Sequence, residues 1–283
     1  MAATSKAVLI TGCSTGIGRA TALRLARAGE TVYATARRAE SIRDLEAEGC
    51  RLLALDVRDE ASMRGAVAEV ERREGAIGVL VNNAGYGSEG PLEEVPIEEV
   101  RRQFETNVFG LIRMIQLALP GMRRQGAGRI VNLSSMGGRL TLPGGGVYHA
   151  TKYAVEALSD ALRFEVRAFG IDVVVIEPGV IKTEFGATAI GTIDAAARDG
   201  SPYAAFREVL KQQIRAAYDG PMAALGGGPD DVARVIEKAI RARRPRTRYP
   251  VTASAHVLMG LRRWLPDRGF DAFLRTQFKT PPG

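Results

Sequence analysis

Tyr148 and Lys152, four residues apart, are the residues of this sequence whose types and spacing most directly suggest chemistry. On a helix, this spacing places both side chains on one face. Transfer of a hydride to a carbonyl carbon needs a proton donor at the oxygen, and the reverse reaction needs a base. The pair is therefore a candidate acid–base group for a carbonyl and an alcohol, although the same spacing also occurs on ordinary amphipathic helices.

The pKa of Tyr148 is expected to fall in such a site. The lysine ammonium and a second positive charge in a dry site would lower it by about 3 units, which requires roughly 4 kcal/mol. Ser135 lies thirteen residues before Tyr148, just after an apolar β-branched segment, and its hydroxyl can polarise a substrate oxygen. The adjacent Ser134 is the weaker candidate, and His149 and His256 are expected to be structural.

A glycine-rich segment at residues 11–18 follows a short apolar run and precedes a helical pattern. Its glycines, Gly12, Gly16 and Gly18, allow a tight turn and let main-chain N–H groups approach a pyrophosphate at the helix N-terminus. Alone, this spacing would indicate only a tight turn. Because it lies between a strand and a helix, it predicts a dinucleotide site.

Short β-branched segments alternate with longer amphipathic ones and supply the elements that must position these residues. We predict strands at residues 7–11, 31–35, 51–55, 79–81, 129–133 and 172–176. We predict helices at residues 18–28, 41–48, 60–74, 97–122 and 148–169. Strands separated by helical crossovers pair in parallel, with helices on both faces. The predicted fold is an α/β doubly wound parallel sheet, the Rossmann fold.

The alternation breaks after Thr183, and no repeat or Gly/Ser linker follows. Residues 1–283 are therefore expected to form a single Rossmann-type domain. Residues 184–229 are expected to form an inserted helical lid over an apolar substrate pocket, and residues 230–283 a C-terminal extension with helices near 230–242 and 253–265. The apolar side chains expected to line the lid are Phe185, Ile190, Tyr203, Phe206 and Leu210.

Several motifs resemble those of the short-chain dehydrogenase/reductase family, in its compact single-domain branch. They occur in the family's order within residues 6–183: residues 11–18, Asp56-Val57, residues 82–85, Asn107, Ser135, Tyr148 with Lys152, Pro178-Gly179 and Thr183. Sequences around Tyr86, Phe109 and Glu177 look like the steroid and retinol dehydrogenase-like branch. The resemblance implies a catalytic group of Asn107, Ser135, Tyr148 and Lys152, in which Asn107 holds a water that connects the lysine to solvent.

The resemblance also implies how a nicotinamide dinucleotide is held. Asp56 would accept from the adenine amino group, Val57 would pack on the adenine ring, and Thr183 would contact the nicotinamide amide. The implied cofactor-binding residues are Gly12, Ser14, Thr15, Gly16, Ile17, Gly18, Arg37, Arg38, Asp56, Val57, Asn83, Ala84, Gly85, Tyr148, Lys152, Pro178, Gly179 and Thr183.

Cofactor preference is predicted from the end of the second strand. NAD(H) enzymes place an acidic residue here for the ribose 2′-hydroxyl, whereas this chain has Ala36 followed by Arg37 and Arg38. Guanidinium groups match a 2′-phosphate in charge and geometry, and Ser14 can donate a further hydrogen bond. NADP(H) is therefore expected over NAD(H); the alternative is that both arginines form a solvated helix entry.

The expected activity is NADP(H)-dependent interconversion of a ketone or aldehyde and an alcohol, on an apolar molecule such as a steroid or retinoid. A 3-oxoacyl thioester reductase is the alternative substrate class, because the basic residues of 241–248 could dock an acidic acyl carrier protein. A catalytically silent NADP(H)-binding regulatory protein is the alternative of another class. Retention of all four catalytic residues argues against it.

Composition limits the remaining possibilities. The 283 residues are 46% hydrophobic and carry a formal net charge of +7, which does not by itself predict nucleic-acid binding. Cys13 and Cys50 are too few for a disulfide framework or a cysteine zinc site, so a cytoplasmic location and no metal are expected. No membrane span is expected, since no 18 apolar residues run together.

Two further contacts are predicted with partners. Residues 241–248 and 253–265 could touch an anionic membrane surface, although a solvated basic face and a packed helix are the simpler interpretation. The long helices at 97–122 and 148–169 resemble the family's subunit-pairing helices. We therefore expect a homodimer or homotetramer.

Overall fold

A parallel β-sheet forms the centre of the protein, for which a computed structural model describes residues 4–197 and 200–279. Its strands are β1 (Val8–Ile10), β2 (Val32–Ala36), β3 (Arg51–Ala54), β4 (Val79–Asn82), β5 (Gly128–Leu133), β6 (Ile171–Pro178) and β7 (Arg248–Val251). They lie in the order β3-β2-β1-β4-β5-β6-β7, and every neighbouring pair is parallel. The predicted doubly wound sheet is confirmed, and it unites the chain in one domain.

Helices connect successive strands and cover both faces of the sheet. They are α1 (Gly16–Arg27), α2 (Asp44–Ala47), α3 (Glu60–Glu74), α4 (Ile97–Phe104), α5 (Gly110–Gln125), α6 (Gly146–Glu165), α7 (Phe185–Ala195), α8 (Ala204–Asp219), α9 (Pro229–Arg241), α10 (Ala253–Trp264) and α11 (Asp267–Gln277). On β1, Val8 and Ile10 pack towards α1 and α9, whereas Leu9 packs towards α3, α5 and α6. Alternate side chains of a strand thus enter two separate cores.

The predicted helix at 97–122 is present without a break, but it is not α-helical throughout. It consists of α4, a π-helical turn at Glu105–Phe109 and α5. The turn widens the helix where Asn107 bonds to neighbouring main chain instead of facing solvent. The predicted helix at 41–48 is likewise a 3₁₀ turn, Ala39–Ile42, followed by α2.

Two elements, β7 and α11, are absent from the sequence-based prediction. Strand β7 contains Pro250, which an edge strand tolerates because one side of its main chain has no partner strand. Arg248 of β7 forms ion pairs with Glu156 and Asp160 of α6, so part of the basic run 241–248 stabilises the sheet edge. Trp264 at the end of α10 is 82% exposed.

The segment predicted as a lid contains α7, α8 and a 3₁₀ turn at Pro221–Leu225. Residues 198–199 of that segment, and 1–3 and 280–283 of the predicted domain, lie outside the described residues. Within the predicted C-terminal extension, α9 packs on α1 and β7 completes the sheet. None of the helices within 4–197 and 200–279 has the length and apolar character needed to cross a bilayer.

Candidate active site

Ser135, Tyr148 and Lys152 meet at the carboxyl edge of the sheet. Ser135 lies just beyond β5, and its hydroxyl forms a hydrogen bond with Tyr148, near the start of α6. Lys152 lies one turn later on α6, with its Nζ 5.8 Å from the centroid of the Tyr148 ring. The same ammonium donates to the Leu133 carbonyl oxygen at 2.8 Å, which fixes it beneath the tyrosine.

Asn107 lies in the π-helical turn between α4 and α5 and joins the loop after β4 to α6. Its Nδ2 donates to the Tyr86 carbonyl (2.8 Å) and to Thr151 Oγ1 (3.1 Å), and its Oδ1 accepts from the Tyr86 N–H (3.1 Å). A Cβ at Gly85 would lie 3.0 Å from that Oδ1 and 3.8 Å from Lys152 Nζ. Asn107 is thus close to the lysine, as π-helical turns often are to functional groups; its water-binding role stays a prediction.

The expected lowering of the Tyr148 pKa does not occur in the protein by itself. Burial raises the pKa of Tyr148 to about 12; the Ser135 hydrogen bond lowers it, and the charge of Glu89 raises it. Burial also lowers the pKa of Lys152 to about 8, although the charge of Glu156 raises it. Desolvation therefore opposes charge on both groups, and at neutral pH Tyr148 is a protonated acid.

The start of the predicted lid contacts Tyr148. The Phe185 ring meets the Tyr148 ring edge-on, with 5.2 Å between centroids. Thr183 Oγ1 accepts from the Phe185 N–H at 3.2 Å, so the residue implied to contact nicotinamide also fixes the first residue of α7. Tyr218 of α8 is near enough for the charge of Tyr148 to raise its pKa.

Glu89 and Tyr218 are functional candidates that sequence reasoning missed. Glu89 lies between Gly87 and Gly90, seven residues beyond β4, at the sheet edge where ligands bind. Its position after β4 is the feature of the sequence from which Glu89 could have been predicted. Nothing in the sequence pattern indicates that α8 brings Tyr218 near Tyr148.

The surroundings of Ser134, His149 and His256 fit a structural role for these residues. Ser134 is buried, whereas the hydroxyl of Ser135 is the one bonded to Tyr148. His149 places Nδ1 2.9 Å from the Gly137 carbonyl and accepts from the Leu142 N–H at Nε2. His256 Nδ1 lies 2.8 Å from the Thr252 carbonyl. Neither ring points to a role in proton transfer.

The glycine turn forms a shallow cradle beside these residues. Gly12 has φ +73°, and a Cβ there would lie 2.9 Å from the Ala84 Cα. Asn83 Nδ2 bonds to the carbonyls of Thr11 and Gly12, both at 2.9 Å, and holds the turn in place. Ser14 and Thr15 are exposed, and Ile17 and Gly18 begin α1 with Gly16. The main chain here can accept a pyrophosphate at the α1 N-terminus.

Arg37 and Arg38 are exposed immediately beyond β2. The charge of Arg37 reaches Asp56, whose pKa is lowered chiefly by its hydrogen bond with Arg58. Val57 is buried beside Asp56. Arg37 and Asp56 are therefore close enough for their charges to interact; the adenosine-binding roles of Arg37, Arg38, Asp56 and Val57 stay predictions.

Thr183 and Gly179 complete the far side of the cradle. A Cβ at Gly16 would lie 3.5 Å from Thr183 Cγ2, so the glycine turn and the residue before the lid face each other closely. A Cβ at Gly179 would lie 2.7 Å from the Ala255 N, which leaves room only for glycine. Ser135 Oγ donates to the Pro178 carbonyl at 3.5 Å, which joins the two halves of the site.

A cavity of about 580 Å³ lies beside the N-terminus of α6. Its lining includes Leu142, Val147, Phe206 and Leu274, but Tyr148 is absent from it. The mostly apolar space therefore borders the predicted lid without including Tyr148, whose ring is in edge-on contact with Phe185.

Comparison with known proteins decides the family. The family model described as short chain dehydrogenase matches residues 6–192. This chain belongs to the short-chain dehydrogenase family. It is an oxidoreductase that acts on an alcohol or carbonyl group, and the resemblance to this family that the motifs predicted is confirmed.

Characterised and uncharacterised relatives both span nearly the whole chain. The uncharacterized oxidoreductase YbbO of Escherichia coli is 36% identical over 95% of this chain and 94% of its own length. The 3-ketodihydrosphingosine reductase of Bacteroides thetaiotaomicron is 36% identical over 95% and 96%. The NADPH-dependent 3-dehydrocapnine reductase of Ornithobacterium rhinotracheale is 33% identical over 96% of each chain.

Solved structures share the same architecture. A short-chain dehydrogenase from Streptomyces avermitilis superposes with a TM-score of 0.79 at 34% identity, covering 98% of this chain and 97% of that one. A serine dehydrogenase complexed with NADP⁺ gives 0.74 at 27% identity, over 86% and 93%. An NAD⁺-bound xylitol dehydrogenase gives 0.74 at 28% identity, over 88% and 98%. Both nicotinamide cofactors therefore occur among similar structures.

Proposed function

We propose that this dehydrogenase uses NADP(H) to interconvert a ketone or aldehyde and an alcohol on an apolar small molecule. The meeting of Ser135, Tyr148 and Lys152 carries the proposal, because three groups suited to one carbonyl oxygen converge beside a dinucleotide cradle. A silent regulatory protein would need the cradle but not this convergence.

Tyr148 donates the proton in the reducing direction. Its raised pKa keeps the hydroxyl protonated at neutral pH, and the substrate oxygen takes its place in the hydrogen bond with Ser135. Lys152 then stabilises the tyrosinate that remains, since its ammonium is fixed 5.8 Å from the ring centroid. When bound, the reduced nicotinamide supplies the hydride. Asn107 positions Lys152 through the loop after β4 and Thr151.

NADP(H) is the proposed cofactor because Ala36 stands where an acidic residue would reject a 2′-phosphate, and Arg37 and Arg38 follow it directly. The glycine cradle suits a pyrophosphate, which supports a dinucleotide of either kind. The name of the 3-dehydrocapnine reductase specifies NADPH, and one similar structure holds NADP⁺. The exposed arginines are what favours the phosphorylated form in this chain.

The proposed substrate is an extended apolar ketone or aldehyde. On the proposed lid of residues 184–229, Phe185 contacts Tyr148 and Phe206 lines the neighbouring cavity, so the lid supplies aromatic surface at both places. Two relatives are named for reduction of 3-keto or 3-dehydro compounds. These names favour a long-chain ketone over the steroid or retinoid that the motifs alone suggested; a 3-oxoacyl thioester is the second substrate class to test.

We further propose a homodimer or homotetramer in the cytoplasm. Phe109, at the join of α4 and α5, is 51% exposed, and Phe164 of α6 is 77% exposed. Both lie on the helices expected to pair across a two-fold axis, where a partner subunit would cover them. The two buried free cysteines fit a reducing compartment.

Oxidation of NADPH and of NADH over a panel of ketones and aldehydes tests the proposal. The panel should contain long-chain 3-ketones, a steroid, retinal and a 3-oxoacyl thioester. We expect NADPH-dependent reduction of at least one apolar ketone or aldehyde. Binding of NADPH without reduction of any of them would instead favour the regulatory protein.

A further inference from the structure

The helix α10 is rich in apolar residues, yet little of it is buried. Its large apolar side chains are Val257, Leu258, Met259, Leu261 and Trp264. Only two small residues of this helix, Ser254 and Ala255, are buried. Val257 is 56% exposed, and Trp264, the single tryptophan of the sequence, is 82% exposed. Exposed apolar surface of this kind is typical of a site that contacts a membrane or another molecule.

One side of α10 is open along its whole length, and we call it the α10 face. It consists of Ala253, Val257, Gly260 and Trp264, whose spacing places them on one side of a helix. Ala253 is exposed like Val257 and Trp264. A Cβ added at Gly260 would meet nothing within 4 Å, so none of the described residues covers the middle of this face.

The charge around the α10 face is positive. Residues 253–279 contain the cations Arg262, Arg263, Arg268, Arg275 and Lys279, and the anions Asp267 and Asp271. Five positive and two negative side chains give this segment a net charge of +3. Arg262 forms an ion pair with Asp267 at 2.6 Å, whereas the other four cations are exposed. The apolar face is therefore flanked by cations that can reach an anionic partner.

The helices α10 and α11 also form one wall of the 580 Å³ cavity. Arg262 of α10 lines it together with Phe270 and Leu274 of α11. The Arg262 guanidinium lies 5.3 Å from the centroid of the Phe270 ring, which joins the two helices at this wall. Leu92, in the loop after β4, lines the same cavity and is 73% exposed. The cavity and the α10 face therefore share one pair of helices.

We propose that α10 and α11 dock on an anionic lipid bilayer, with the α10 face inserted at the level of the headgroups. A tryptophan beside arginines suits this position, because its ring prefers the interface and the cations are attracted to anionic lipids. A second copy of this chain is a poorer occupant of the face, since a two-fold contact would bring together two segments that each carry +3.

Docking in this orientation has a consequence for the cavity. Its wall of Arg262, Phe270 and Leu274 is held next to the bilayer, where long apolar molecules concentrate. The use of the cavity by such a molecule rests on the proposed function. The docking itself does not, because it depends only on the α10 face and the surrounding charge.

The emission of Trp264 reports docking directly, because no other tryptophan contributes to it. The full chain is mixed with vesicles of equal parts phosphatidylcholine and phosphatidylserine, or with vesicles of phosphatidylcholine alone. With the anionic vesicles we expect the emission to shift to shorter wavelength and to be quenched by lipids with brominated acyl chains. Both changes should weaken as salt is added, since salt screens the attraction to the lipid headgroups.

Co-sedimentation with the same vesicles tests the surface residue by residue. Val257→Asp places a carboxylate on the α10 face, and the double variant Arg263→Gln/Arg268→Gln removes two exposed cations. Each should bind anionic vesicles at least about tenfold more weakly than wild type. Ile97→Asp, at an apolar side chain of α4 that is 54% exposed, is the matched control and should bind like wild type. Circular dichroism verifies that each variant is folded.

Four results would overturn the inference: no binding to anionic vesicles, equal binding to both kinds of vesicle, wild-type binding by Val257→Asp, or equal weakening by Ile97→Asp. Light scattering without lipid examines the other occupant. If Val257→Asp lowers the oligomeric state, the face is a contact between copies of this chain, and bilayer docking is wrong. None of these measurements needs turnover, so the proposed function can fail while docking is still decided.

Discussion

The ring of Phe185 lies edge-on against the ring of Tyr148, with 5.2 Å between their centroids. Phe185 is the first residue of α7, so the segment proposed as a lid begins in contact with the proposed proton donor. Burial is the main reason why the pKa of Tyr148 is raised to about 12. We therefore expect the proposed lid to influence the acid strength of the tyrosine.

Replacing Phe185 should make Tyr148 a stronger acid. Phe185→Ala admits water to the hydroxyl, and we expect its pKa to move from about 12 towards the ordinary value near 10. Reduction needs the protonated tyrosine, so the basic limb of the kcat/KM profile should shift to lower pH. Phe206→Ala, on α8, is the control that should leave this limb in place. If the basic limb of the kcat/KM profile does not move in Phe185→Ala, the lid does not control the pKa of Tyr148.

Removal of the first arginine beyond β2 should weaken NADPH selectively. Arg37→Ala is expected to cost about 1–3 kcal/mol of NADPH binding, as for a lost charge-assisted hydrogen bond, and to leave NADH binding almost unchanged. Arg43→Ala, another exposed arginine after β2, serves as the control. Fluorescence titration gives the dissociation constants. Equal wild-type constants for NADPH and NADH would contradict the assignment.

The pH dependence of stability tests the raised pKa of Glu89. Its folded-state pKa of about 7 lies above the ordinary value of 4.5, so ionisation disfavours the folded state as pH rises through 7. Glu89→Gln should therefore gain free energy of unfolding relative to wild type between pH 5 and 8, on the order of 3 kcal/mol at most. Urea denaturation measures this gain. A difference that stays constant with pH would show that the carboxyl is not desolvated.

Charge placed on α6 should disrupt the proposed subunit pairing. Phe164 is 77% exposed, and Phe164→Glu would bury a carboxylate against the partner subunit. We expect the wild type to be at least dimeric by light scattering at micromolar concentration and the variant to shift towards monomer. Val257→Glu, on α10, should leave the assembly unchanged. A monomeric wild type would count against the proposed pairing.

The sheet was predictable because its strands are short, β-branched and separated by amphipathic helices. β7 was not, because Arg248 and Pro250 resemble a loop, and their strand conformation depends on pairing with β6 and on ion pairs with α6. The π-helical turn could not be predicted from the sequence either. It depends on hydrogen bonds of Asn107 to main chain that is distant in sequence.

Within the candidate site, the sequence placed Ser135, Tyr148 and Lys152 at one sheet edge because strand ends and helix spacing determine their positions. It did not indicate the raised pKa of Tyr148. That value depends on burial, which neither the Tyr148–Lys152 spacing nor the lysine charge reports. Glu89 was missed for the same reason: its proximity to Tyr148 follows from a loop that Thr192 of α7 holds in place.

Turnover by Tyr148→Phe tests the central claim most directly. The substitution removes only the hydroxyl, so folding and NADPH binding should survive, as circular dichroism and fluorescence titration would verify. On a ketone or aldehyde that the wild type reduces, kcat should fall by at least about 100-fold, the scale of lost general acid catalysis. If the variant retains more than about a tenth of the wild-type kcat, the loss is smaller than the range for general acid catalysis. That result would contradict Tyr148 as the proton donor.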